Sequence, residues 1–202
     1  MLKTVGIRGF TLVELLVTMT IAGVLVVLGA PALGTYLQNS KLENAAATYY
    51  AGVQMARTEA IRSNQPAQFL LTNTSPAASD VANTAAPNTV GPNWLVRVVT
   101  DPAGPTYQLI DSKAGSEGEG QSGAPAVAIA GSGPAGFDGS ITFNSLGGTA
   151  DSSPYSIDVT NPSGGTCASA GGPMRCRRIV VTPGGRIYAC DPAAGAGDSR
   201  AC

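Results

Sequence analysis

The sequence contains no histidine. That absence excludes a Ser-His triad, a Cys-His dyad and any histidine-ligated metal. Charge is scarce too: 12% of residues are charged, against roughly 25% in ordinary soluble domains. Aromatic residues make up 5%. Such a composition argues against a charged cytosolic enzyme and a coiled coil. The 26 glycines follow no Gly-X-Y period, which excludes a collagen. There is no P-loop, no dinucleotide fingerprint and no carboxylate pair with a supporting motif, so neither catalysis nor a cofactor is expected. What remains is one long apolar segment and a turn-rich body, with 26 Gly and 14 Pro among 202 residues.

The formal net charge of −1 conceals a strong segmentation. Residues 1–100 carry +2, residues 101–160 carry −6 and residues 161–202 carry +3. The basic charge of the last segment is all arginine: Arg175, Arg177, Arg178, Arg186 and Arg200. Local fields, rather than net charge, decide what such a chain attracts.

From Leu15 to Ser40 there is no charged residue. A helix of roughly 20 residues crosses a hydrocarbon core of about 30 Å. Lys3 and Arg8 precede the run and no basic residue follows before Lys41. The positive-inside rule then leaves the N-terminus in the cytoplasm and sends the body outside. A cleaved secretory signal ending near Ala30-Pro31-Ala32 is the competing reading.

The residues around Gly9 separate these readings. The stretch Gly6-Ile7-Arg8-Gly9-Phe10-Thr11-Leu12-Val13-Glu14-Leu15-Leu16 resembles the processing site of type IV pilins and pseudopilins. The resemblance implies a leader over residues 1–9, cleaved by a prepilin peptidase between Gly9 and Phe10, and N-methylation of Phe10. It also implies that Glu14, the fifth mature residue, pairs with the Phe10 amine of a neighbouring subunit during assembly. Pro31 stands at the position where many pilins carry a helix-kinking proline, which removes one backbone hydrogen bond. A carboxylate in a membrane helix is costly, so an idle Glu14 would have to snorkel to the headgroups.

The chain then carries apolar residues at steps of three and four: Leu42, Ala45, Ala46, Tyr49, Val53, Ala56, Ala60 and Ile61. The pattern predicts one kinked helix from Phe10 to about Ser63, stopped ahead of Pro66. Its first half, residues 10–38, is the membrane and assembly segment. Its second half belongs to a periplasmic domain over 39–202 and packs on a sheet.

Strands are expected at Ala67–Leu71, Trp94–Thr100, Tyr107–Ile110, Ala126–Ala130, Ile141–Phe143, Tyr155–Val159, Arg178–Thr182 and Arg186–Cys190. Thr182-Pro183-Gly184-Gly185 is expected to turn the last two into a hairpin. Thr72–Asn93 reads as a long polar loop and Asp111–Gly123 as a Gly/Ser/Glu-rich mobile one. The expected fold class is α+β, and the resemblance to pilins implies a long helix packed on an antiparallel sheet domain. Ala56-Arg57-Thr58-Glu59-Ala60-Ile61-Arg62, with Arg177-Arg178-Ile179-Val180-Val181 and Gly185-Arg186-Ile187-Tyr188, resembles the GspH/FimT branch of the pilin superfamily.

Cys167, Cys176, Cys190 and Cys202 all lie in the last 36 residues. Four cysteines allow three pairings. Sequential pairing, Cys167–Cys176 and Cys190–Cys202, closes two short loops and is the expected one. A zinc site competes, but no C-x-x-C is present and the compartment is oxidising.

The resemblance implies one of two functions. The first is a minor pilin, a structural and assembly subunit of a type IV pilus, with a minor pseudopilin of a type II secretion system as the alternative. Its partners are other pilin or pseudopilin subunits, the prepilin peptidase and the inner membrane. The second is a pilus-associated subunit that captures double-stranded DNA for uptake through Arg175, Arg177, Arg178 and Arg186, since the guanidinium fork suits phosphate. DNA-binding FimT-type pilins carry Gly-Arg-x-Arg near the C-terminus. Gly185-Arg186-Ile187-Tyr188 supplies the Gly and the first Arg, and Tyr188 replaces the second.

Overall fold

The helical periodicity and the strand alternation of the sequence are both realised in a computed structural model. It describes residues 10–101, 103, 104, 106–115 and 127–202, without the side chains of 28–32. The chain divides into two units, Met1–Leu37 and Gln38–Cys202. Helix α1 is Leu12–Ser63. Thr11 caps its start: the Glu14 amide donates to Thr11 Oγ1 at 3.2 Å, satisfying one orphan donor of the first turn. At the other end Asn64 adopts φ 54°, a left-handed stop that asparagine tolerates, two residues ahead of Pro66.

In the larger unit the strands form two four-stranded antiparallel sheets, where one was expected. The first has the order β3-β2-β1-β5, with β1 Ala67–Thr72, β2 Asn93–Asp101, β3 Thr106–Lys113 and β5 Ser140–Phe143. The second has the order β4-β6-β7-β8, with β4 Ala128–Ser132, β6 Tyr155–Thr160, β7 Arg177–Val181 and β8 Ile187–Cys190. One core joins both sheets to the helix residues Leu42, Ala46, Tyr49, Val53, Ala56 and Ala60. The period-2 rule sorts each strand: Tyr155, Ile157 and Val159 of β6 face that core, whereas Ser156, Asp158 and Thr160 face away.

Two expectations are corrected. The Thr72–Asn93 segment is no simple polar loop. It carries a short helix, α2 Val81–Thr84, and buries Val81 and Ala85 with Leu70 and Leu95 in a second small core. The reason lies in the pleat: Leu70 and Leu95 point away from the main core and need a cover. Strand β3 also runs on to Lys113, because pairing with β2 continues through Trp94↔Lys113. Of the segment expected to be a mobile loop, residues 116–123 lie outside the described residues, as does Ala126.

Arg97 is the unexpected tenant of the outer face, only 6% exposed. Its Nε donates to Gln68 Oε1 at 3.0 Å and its Nη1 to Ala82 O at 2.7 Å, and its guanidinium lies 3.6 Å from the Tyr107 ring centroid. Burial pushes its pKa down from the usual arginine value. The same insertion guards a sheet edge: Asn83 accepts from the Tyr107 amide through Oδ1 at 2.8 Å and donates back to Tyr107 O at 3.4 Å.

Candidate functional site

In the smaller unit every described side chain from Phe10 to Val27 is exposed. Phe10 is 79% and Leu12 81% exposed. Glu14 is the one charged residue between Phe10 and Ser40. Thr11-Leu12-Val13-Glu14 also has the spacing of a capping box, so the expected assembly motif and a helix start share the same residues. Gly9 lies outside the described residues, and so does the side chain of Pro31. Among the described residues, no helix is long and apolar enough to cross a membrane.

The tail arginines divide into two groups. Arg177 donates from Nε to Glu43 Oε2 at 2.8 Å and from Nη1 to Asp191 Oδ2 at 3.0 Å, tying α1, β7 and the tail together. Arg178 stands directly across from Asp158 in the β6–β7 register. It makes a fork of 2.6 and 3.0 Å to that carboxylate, and this hydrogen bonding holds its pKa above the usual value. Arg200 pairs with Asp198 at 2.7 Å, and the hydrogen bonds from Arg200 lower the Asp198 pKa to about 2. Arg175 and Arg186 are exposed and have no carboxylate partner among the described residues. The Arg186 guanidinium lies 5.0 Å from the Tyr188 ring centroid.

These two do not form one patch. Arg175 precedes β7 and Arg186 follows it, just beyond Val181↔Ile187 at the hairpin end. At about 3.3 Å per residue they stand roughly 20 Å apart. The local charge of the tail is therefore smaller than its composition suggests. Part of the acidic middle segment, Asp158, is spent directly on Arg178.

The cysteines pair in sequence order: Cys167–Cys176 and Cys190–Cys202, with Cα separations of 5.5 and 5.1 Å. Among the described residues no group of three or more potential ligands is placed to hold a metal. The second disulfide returns the tail to β8, where the Asp191 amide donates to Arg200 O at 2.7 Å.

Sequence reasoning passed over the residues that fix the helix to the sheets. Arg57 Nε donates to Gly147 O at 3.0 Å, and Gly185 is packed against that same carbonyl. Asn39 and Asn161 hold the loop before β7 against the helix. The signal at Arg57 was its place in the Ala56–Arg62 motif. For the asparagines there was none: Asn161 stands before Pro162 and reads as a turn residue, and Asn39 reads as an ordinary polar position of the helix.

Comparison with known proteins adds to this geometry. The family described as type II transport protein GspH matches residues 45–185. The chain belongs to the GspH family. A second match, the prokaryotic N-terminal methylation motif, covers residues 6–30 of this GspH-family chain. Among solved structures, the type IV minor pilin FimU of Pseudomonas aeruginosa is similar at 14% identity and a TM-score of 0.48, over 76% of this chain and 90% of that one. The minor pseudopilin EpsH from the type 2 secretion system of Vibrio cholerae is similar at 11% identity and a TM-score of 0.47, over 76% and 99%. No curated protein matches.

Proposed function

We propose that this chain is a non-enzymatic minor subunit of a type IV pilin-like fibre, anchored in the inner membrane and later inserted into the fibre by its N-terminal helix. The observation that carries the reading is the helix start itself. The N-terminal methylation motif, residues 6–30, overlaps the start of a helix whose first 16 residues are exposed and mostly apolar around a single carboxylate, Glu14. Such a surface is stable only in lipid or among like helices. Either surrounding leaves Glu14 seeking a cation, and the methylated amine of Phe10 on a neighbouring subunit supplies one. Gly9 marks the cut, and the domain from residue 39 onward faces the periplasm. A pilus subunit is the preferred form, on the paired C-terminal cysteines; a type II secretion pseudopilus shares the same parts.

The test is Glu14→Ala in the native host. The variant is expected to be processed to a mature N-terminus at Phe10, with loss of nine residues plus one methyl by intact mass, and to remain in the inner membrane. Its recovery in sheared fibres should fall at least tenfold. Incorporation equal to wild type would refute the assembly role, and a mature N-terminus after Ala32 would refute the anchor.

DNA capture is the second reading, supported by the exposed, uncompensated Arg175 and Arg186. At Arg177 and Arg178 a phosphate must displace carboxylates already bonded to the fork.

A further inference from the structure

The segment from Asn161 to Cys176 contains no Asp or Glu, and its single charge is Arg175. It is bound to the first residues of the larger unit. Asn161 Nδ2 donates to Gln38 Oε1 at 2.7 Å, Asn39 Nδ2 donates to Pro173 O at 3.3 Å, and the Arg175 amide donates to Asn39 Oδ1 at 2.7 Å. Cys167–Cys176 closes the segment, and Met174 is buried in the core beneath it. The Arg175 backbone is thus fixed to Asn39, a residue inside the charge-free run that ends at Ser40.

Lys41 is the first charge after that run, and it is exposed. Arg175 is exposed as well. Among the described residues no carboxylate pairs with either, whereas Arg177 has two and Arg178 and Arg200 have one each. Two uncompensated cations therefore stand where the apolar run stops. Apart from Arg175, the exposed residues of 161–176 are all Pro, Ser, Gly, Thr or Ala, small enough to lie against a surface.

Chain length says which surface. A core of about 30 Å takes roughly 20 helical residues, so a span opening at Leu15 ends near residue 35. The headgroup layer adds some 5–7 Å, about four residues more. Asn39 falls at the outer edge of that layer, Arg175 with it, and Lys41 about 3 Å beyond, within reach of its flexible stem. From this juxtaposition the geometry points to a binding site for anionic phospholipid, in which Arg175 and Lys41 hold headgroup phosphate. The site rests on the membrane anchor proposed above. Arginine grips phosphate through its planar fork, and lysine serves as a point charge. A zwitterionic headgroup brings its own ammonium, so the net attraction is to anionic lipid, at about fivefold per cation.

The full chain in lipid nanodiscs tests this, in phosphatidylcholine alone and with about 30% phosphatidylglycerol to give the negative surface potential that attracts basic residues. Hydrogen exchange is read on the amides of residues 161–176. Exchange should be about 5- to 25-fold slower in the anionic discs at low salt. The difference should collapse at about 0.5 M salt. It should vanish in Arg175→Gln with Lys41→Gln and largely survive in Arg175→Lys. A non-reducing peptide map showing Cys167–Cys176 intact confirms that the variants are folded. Equal exchange in the two lipids, or a difference that persists in the double glutamine variant, overturns the headgroup contact while leaving the anchor in place. Slowing of the same amides by added double-stranded DNA on phosphatidylcholine discs, with no effect of lipid charge, reassigns Arg175 to nucleic acid. Release of the chain from the discs on size exclusion refutes the anchor, and this site with it.

Discussion

Gly185 sits where three parts of the domain converge, and replacing it with alanine isolates what the β7–β8 turn contributes. Its φ is +78°, a left-handed conformation that costs an L-residue about 1–2 kcal/mol. A Cβ there would overlap the carbonyl oxygen of Gly147 and come within 3.1 Å of Arg57 Nε. The turn cannot yield alone: Thr149 N donates to Pro183 O at 3.0 Å, and Gly185 N closes the turn onto Thr182 O at 2.8 Å. Relief must separate Gly185 from Gly147, breaking the 3.0 Å bond from Arg57 to that carbonyl. A hydrogen bond from a charged donor contributes about 1.5–3 kcal/mol. Together Gly185→Ala should destabilise by about 3–5 kcal/mol, a large share of a typical 5–15 kcal/mol. In thermal unfolding of the detergent-solubilised full chain, followed by circular dichroism, Tm should fall by roughly 10 °C. Arg186→Ala is the internal control: the side chain is exposed, and the change should stay within about 1 kcal/mol. A Gly185→Ala variant as stable as that control would refute the packing account, and with it the structural explanation of why Gly precedes Arg186.

Removing the second disulfide, by Cys190→Ser with Cys202→Ser, should cost about 2–3 kcal/mol in the chain-entropy estimate for a separation of 12 residues. It should also free Asp191 from Arg177, read as faster amide exchange over 191–202; unchanged exchange would show the tail held by its hydrogen bonds alone. Carboxyl NMR titration should place Asp198 at about 2, returning toward the ordinary 3.8 in Arg200→Gln. Because the folded value is depressed, the favourable pairing is fully present above about pH 4 and lost as pH falls toward 2; a wild-type midpoint near 3.8 would dissolve the pair in solution. If DNA is bound through Arg175 and Arg186 alone, log affinity should fall with log salt at a slope of about −1.8, at −0.9 per phosphate. A slope of −3 or steeper would mean that Arg177 and Arg178 abandon their carboxylates.

Much of the architecture was legible because local chemistry and tertiary demand agree. Leu42, Ala46, Tyr49, Val53, Ala56 and Ala60 recur at helical steps, and all are buried on the sheets. Tyr155–Val159 alternates, and the same alternation sorts core from solvent. Thr182-Pro183-Gly184-Gly185 names its own turn, and the short separations of the cysteines name the pairing found. The leader motif is a local signal that needs no fold to be read.

What the tertiary structure decided is pairing across space. Nothing local distinguishes Arg178, neutralised by Asp158 across the β6–β7 register, from Arg175, left without a carboxylate two residues before Arg177. Composition counts five tail arginines as equal, while strand register gives Arg178 its carboxylate and the helix gives Arg177 Glu43; only the Arg200–Asp198 pair is local in sequence. Arg97 lies in the strand expected over Trp94–Thr100, and nothing in that strand's pattern marks it for burial. It is buried because Leu70 and Leu95 on the same face draw the 73–90 segment over them, and Ala82 O and Gln68 then serve the guanidinium. The division into two sheets is likewise invisible in strand patterns, which state how each strand alternates but never which neighbour it pairs with. A period-2 pattern carries one face of information per strand; hydrogen-bond partners and counter-ions are set only when other strands arrive.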